Sequence, residues 1–197
     1  PTPAPPPAAP LLRMPVDLIV HAVSSDACAE SEKVVMQTWD FAGDELYYNM
    51  AHVFLTALGL YCLVFNLVAW SGAGAPCPEA SASLDFWLSA VFVHAPGAYL
   101  VIVGSHSDDL PEDIRKTVYE HVDEHLLQRL GTMPSLFERL RSNQREGLLF
   151  FPVDNRRSTP TSREGVEALR AALGRLALEA VQGLPSMPTR WAHFFHE

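Results

Sequence analysis

Three apolar runs, Leu58–Leu67, Ala98–Val103 and Leu148–Val153, are each followed by a stretch of helical periodicity, and this alternation limits the fold more than any other feature. Apolar runs without a polar alternation suit strands covered on both faces, the condition met in parallel sheets. After the first run, Trp70–Ser81 reads as a loop of Gly, Ala, Pro and Ser. Ser83–His94 then places Leu84, Trp87, Leu88 and Val91 on one face and stops at Pro96-Gly97. A longer helix, Pro111–Leu130, opens with proline and two acids, Glu112 and Asp113, where the positive helix end favours them, and stops at Gly131. Arg163–Val181 reads as the last helix, with a short one at Ser135–Arg141. Upstream, Val16–Val23 and Lys33–Thr38 read as a hairpin across a polar connection, and Asp44–Thr56 as a helix. Strand and helix alternating three times after a hairpin predict an α/β fold: a mainly parallel sheet with helices on both faces.

The totals narrow the partners. Fourteen basic against 23 acidic side chains give a net charge of −9, the wrong sign for a phosphate-binding face on nucleic acid or for an anionic membrane surface. Hydrophobic residues make up 48% of the 197-residue chain, enough for one buried core. Residues 1–12 are a proline-rich lead, with six of the sixteen prolines in the first ten positions, and are expected to be polyproline-like or disordered. Val53–Trp70 carries no formal charge over eighteen residues, close to the length of a membrane span. Gly59, Thr56 and Asn66 interrupt it and no Lys/Arg cluster flanks it, so a helix end followed by a buried strand is the preferred reading. Three widely spaced cysteines without a C-x-x-C suit a reducing compartment, hence the cytoplasm.

In an open α/β sheet, ligands bind outside the carboxyl ends of the strands. The residues found there are Asp40-Phe41-Ala42-Gly43, then Gly104-Ser105-His106-Ser107-Asp108-Asp109, then Asp154-Asn155. Asp-x-x-Gly after a strand can offer a carboxylate towards Mg2+ and a backbone N–H towards a terminal phosphate. A carboxylate such as Asp108 can accept two hydrogen bonds from guanine and so select it over adenine. The plain alternatives are a turn at residues 40–43 and a helix cap at Asp108 and Asp109.

Trp39-Asp40-Phe41-Ala42-Gly43, followed by an acid, Tyr47, Tyr48 and an apolar helix, resembles the switch II of the Roc domains of Roco proteins, a Ras-like GTPase family. Gly104-Ser105-His106-Ser107-Asp108 looks like the family's base-recognition element, where Thr-His-x-Asp is usual. Phe151–Asn155 and Gly165–Arg170 are similar to its last strand, base-side loop and final helix. Arg13–Asp17 aligns with the end of switch I, and Leu184–Trp191 resembles the start of the COR dimerisation region. The resemblance implies a P-loop-GTPase-like domain over residues 13–182 and a COR-like start over 183–197. It also implies GTP or GDP with Mg2+ as cofactors. Asp40, Gly43, Ser105, His106, Asp108, Asp154 and Asn155 would bind nucleotide, Asp40 would meet Mg2+ through water, and Arg13 and Asp44 would lie in the switches. COR and other domains of a larger parent protein, and a second copy of the chain, are the implied partners.

Departures from that pattern bear on activity. No G-x-x-x-x-G-K-S/T occurs, and the only lysines are Lys33 and Lys116. The backbone nest and lysine that hold the phosphates are therefore not supplied. Arg13 falls where the family has a Mg2+-binding threonine. Asp44 stands where many Ras-like proteins carry a water-orienting glutamine, and a carboxylate there is repelled by a γ-phosphate. The chain as given is expected not to hydrolyse GTP, and the central first strand of a Ras-like sheet is expected to be missing with the phosphate loop. A truncated Roc domain is preferred to an evolved pseudo-GTPase, and a nucleotide-independent interaction module is the alternative function. His121 and His125 have zinc-compatible spacing on a helix face that reads as solvent-facing, and Cys62 reads as buried packing.

Overall fold

The structure, a computed structural model, describes residues 38–41, 54–72, 77–154 and 160–182. The expected hairpin at 16–38 lies outside these residues except for Thr38, and so does the helix at 44–56 except for its end near Phe54. The described elements run β1 (Leu60–Asn66), a 3-10 turn (Leu67–Trp70), α1 (Pro78–His94), β2 (Tyr99–Ser105), α2 (Glu112–Gly131), α3 (Pro134–Phe137), β3 (Phe151–Pro152) and α4 (Pro160–Gln182). The sheet order is β1-β2-β3 with both pairings parallel, Leu60 opposite Tyr99 and Val103 opposite Phe151.

β2 is the strand on which both faces are closed. Leu100 and Ile102 point into a core shared with Leu84, Leu88 and Val91 of α1 and Val118, Val122, Leu126 and Leu130 of α2. Val101 and Val103 point the other way, against Ala172 and Leu176 of α4 together with Phe151 and Val153. The spacing of four along α2 makes one continuous stripe, and each of its fully buried side chains contributes roughly 1.5–3 kcal/mol of transfer free energy. Helices thus lie on both faces of a parallel α/β sheet, as the alternation of apolar runs and amphipathic stretches implies.

Three features depart from the sequence reading for identifiable local reasons. α1 starts at Pro78 instead of Ser83, because Pro78 occupies the first turn, where its missing N–H costs nothing, and Glu79 sits at the positive end. β3 is two residues long instead of six. Part of the outer edge of β2 is already taken by residues 139–141, with Leu100 N–H donating to Arg139 O (3.1 Å) and Arg141 N–H to Leu100 O (2.8 Å). Leu148 bridges back to Asn143, and Leu149 N–H donates to Asp123 Oδ1 at 2.6 Å. β1 is not closed on both faces: Tyr61, Leu63 and Phe65 pack on the core, but Cys62, Val64 and Asn66 are exposed. The expectation of a buried Cys62 is therefore overturned, because α4 covers β2 and β3 and reaches β1 only at Leu60.

The connection after α2 is fastened to α4 at two points. Arg141 Nη2 donates to both carboxylate oxygens of Glu179 (2.8 and 2.6 Å), and Arg145 Nη2 lies 2.7 Å from Glu164 Oε2. Among the described residues no helix is long and apolar enough to cross a membrane.

Candidate functional site

The C-terminal ends of β2 and β3 are bonded into one platform. Val153 N–H donates to Gly104 O at 2.8 Å, and Ser107 N–H donates back to Val153 O at 3.2 Å. Gly104 sits where a Cβ would meet the Leu67 side chain at 2.7 Å, so the 3-10 turn after β1 can close under the end of β2. Ser105 Oγ donates to Phe65 O at 2.9 Å, which ties the ends of β1 and β2 together. A single short loop, residues 104–110, is thereby anchored to the strands on either side.

Within that loop His106 adopts φ +62°, and among the described residues it is the one non-glycine with positive φ. A left-handed histidine is held only where its surroundings dictate it, and such residues cluster at binding sites. Its Nδ1 lies 3.4 Å from Asp109 Oδ2, across a 3-10 turn formed by Ser107–Asp109. Ser107 is buried, Asp108 is half-buried, and Asp154, two residues beyond β3, is only 2% exposed. The strand ends therefore bring Ser105, His106, Asp108 and Asp154 to one edge of the sheet.

The remaining predicted residues are placed differently. Asp40 is exposed in the stretch 38–41, between Trp39 (58% exposed) and Phe41 (38%). Those two rings flank Phe54, with centroids 5.8 and 5.7 Å away. Arg13, Gly43, Asp44 and Asn155 lie outside the described residues, as do Leu184–Trp191.

One residue that sequence reasoning did not single out touches the loop from α2. Arg115 Nη2 donates to Leu110 O at 3.1 Å, and Tyr119, one turn further along the helix, packs edge-on to Phe150 at 5.6 Å. Burial pushes the Tyr119 phenol up to about 12, with lesser effects from Arg115, Glu146 and Asp108.

His125 is not on a solvent-facing stripe. Its Nε2 lies 2.9 Å from Asp85 Oδ1, and its ring packs edge-on to Trp70 at 5.1 Å. Among the described residues no three His, Cys, Asp or Glu side chains gather to hold a metal ion.

The two sides of this edge differ in charge. The base side has carboxylates on an anchored loop. For the phosphates the sequence offers no glycine-rich nest, and Lys116 is 89% exposed and lies 3.8 Å from Glu120 on the outside of α2.

Residues 14–108 match the family described as Ras of Complex, Roc, domain of DAPkinase, and the match ends on Asp108 itself. The chain is 37% identical over 79 residues to the probable serine/threonine-protein kinase roco6 of Dictyostelium discoideum, covering 40% of this chain and 3% of that protein. It is 32% identical over 107 residues to the probable serine/threonine-protein kinase pats1 of the same organism, covering 54% and 3%. Against leucine-rich repeat serine/threonine-protein kinase 1 of Mus musculus it is 34% identical over 80 residues, covering 41% and 4%. This chain thus spans a few hundredths of the length of these much larger relatives. Over residues 14–108 the chain matches the Roc family, and with a parallel sheet carrying helices on both faces its fold class is that of the Ras-like Roc domain.

Proposed function

We propose that this chain carries the base-reading half of a Roc-type guanine-nucleotide switch within a larger multidomain signalling protein, and that it does not hydrolyse GTP alone. The observation that carries this reading is the loop 104–110, locked to Val153 with Asp108 in its turn. Asp108 would accept from the guanine N1–H and exocyclic amine, a two-point contact that adenine cannot supply. Ser105, His106, Asp154 and Asn155 would frame the base. Asp40, through a water on Mg2+, and Gly43 would sense the terminal phosphate, with Arg13 and Asp44 in the switches. Residues 13–182 form the Roc-type unit in this reading, and 183–197 open a COR-type region through which two copies pair. The cytoplasm suits such a protein.

The test is a titration of the chain with a fluorescent GDP analogue and Mg2+, with ATP as competitor and Asp108→Ala as the control. Saturable binding that ATP does not displace and Asp108→Ala abolishes is expected. Binding that is indifferent to Asp108, or no binding by a chain shown folded by circular dichroism, would overturn the base-reading role.

A second reading is a nucleotide-independent docking module. It is favoured by the exposed, mutually packed rings of Trp39, Phe41 and Phe54, since apolar patches left in solvent mark interaction surfaces. Folded protein that ignores GDP but self-associates in sedimentation, less so as Trp39→Ala, would favour it.

A further inference from the structure

A phenol of β1 clasps the turn through which the chain enters that strand. Phe54 is helical, Leu55 is buried in the core, and the chain turns at 56–59 before β1 begins at Leu60. The Tyr61 hydroxyl meets both backbone groups of Thr56: the Thr56 N–H donates to it at 2.6 Å, and it donates in turn to Thr56 O at 2.9 Å. Gly59 N–H donates to the same carbonyl at 3.1 Å. Gly59 also makes the clasp possible. A Cβ built there would meet the Tyr61 hydroxyl oxygen at 2.7 Å and ring carbons at 2.8 and 2.9 Å, so the ring end fills the space a side chain would need. Thr56 is exposed, so water can take the place of the phenol on both groups, and the clasp is one that can open.

Just before this turn stands Phe54, the ring that Trp39 and Phe41 share, with centroids 5.8 and 5.7 Å away. Leu55 fixes the backbone at that point from the core, and the phenol fixes the following residue from β1. We propose that Tyr61 is a latch: closed, it holds Phe54 where Trp39 and Phe41 pack against it, and open, it lets the three exposed rings come apart. The assembly of this aromatic patch is thereby set from within the sheet, independently of whether the 104–110 loop reads a base.

Two substitutions open the latch by different routes. Tyr61→Phe removes the hydroxyl and keeps the ring. Gly59→Ala keeps the hydroxyl and displaces the ring end, and Gly59 has no positive φ, so the backbone accepts alanine. In the isotope-labelled full chain, followed by nuclear magnetic resonance, both variants should quicken amide exchange at Thr56 about fivefold, as loss of one hydrogen bond implies. Both should also move the Trp39 indole N–H resonance, identified by its absence in Trp39→Phe, towards the position it takes in Phe54→Ala. The indole of Trp70, which is 1% exposed, should stay where it is in the wild type. A Trp39 resonance that stays put while Thr56 exchange quickens overturns the latch, because the patch then stands without it. Unchanged exchange at Thr56 overturns it too, since the phenol would then hold nothing. Movement of Trp70 together with Trp39 overturns it as well, because the loosening would belong to the whole core.

Discussion

A Cβ built on Gly165 would lie 2.5 Å from the carbonyl oxygen of Pro152, closer than any relaxed contact. α4 therefore rests directly on the backbone of β3, and only a residue without a side chain permits that approach. The oxygen belongs to the strand whose end anchors the 104–110 loop, so the neighbour cannot yield cheaply. Gly165→Ala is expected to destabilise the chain by about 1–3 kcal/mol, as overpacking does. A urea midpoint equal to that of the wild type would show that the helix shifts without cost.

Gly174 lies on the same helix, has no positive φ, and leaves open space within 4 Å of the place a Cβ would take. Here alanine adds no clash and removes backbone freedom from the unfolded chain, so Gly174→Ala should stabilise by about 0.5–1 kcal/mol. The two glycines, on one helix, are thus predicted to respond with opposite signs. A lower thermal midpoint in Gly174→Ala would contradict the open surroundings described for it.

Asp85 of α1 joins two side chains of α2 on one oxygen, His125 Nε2 at 2.9 Å and Arg129 Nε at 3.0 Å. All three are partly buried, so the pairing is better shielded than a surface ion pair, yet not dry enough to cost much in desolvation. Asp85→Ala is expected to cost about 1.5–3 kcal/mol, the range for hydrogen bonds to charged groups, and Asp85→Asn less. Chemical denaturation of both variants measures it. Equal midpoints for the wild type and Asp85→Ala would mean that α1 and α2 are joined by Leu84, Leu88, Val91 and their partners alone.

Tyr119 gives a signature at alkaline pH. Burial pushes its phenol up to about 12, whereas an unfolded tyrosine titrates near 10. Below about pH 10 both states hold the proton and the contribution is fully present. Above that, the unfolded chain releases its proton first, so stability falls as pH rises towards about 12. Unfolding midpoints followed across this range should fall more steeply in the wild type than in Tyr119→Phe. Parallel slopes would place the phenol in water.

Much of the architecture was legible from the apolar runs, because Ala98–Val103 and the stripe Val118, Val122, Leu126 and Leu130 are patterned by burial. The strand ends that carry Ser105, His106, Asp108 and Asp154 followed from the same runs. What a run cannot report is which neighbour covers it. Val64 is as apolar as Val103, yet it is 65% exposed because α4 does not extend over it. Leu148 and Leu149 look like strand residues, but Asn143 and Asp123 claim them. The support given by Arg115 was illegible for a related reason: a charged residue on a helix reads as ordinary surface until the loop it touches is known.

Pro152 gives the sheet a direction of growth. Val153 N–H faces Gly104 of β2, and successive residues of a strand turn their backbone groups to opposite sides, so the nitrogen of Pro152 faces away from the sheet. That nitrogen has no hydrogen to donate, and Gly165 sits against the same residue's carbonyl. A further strand finds no donor at that position. Among the described residues, the flank beyond β3 is thereby closed to further β-structure. The terminal proline acts as a stop, protecting the flank next to the base-side loops from the edge-to-edge adhesion that exposed strands invite.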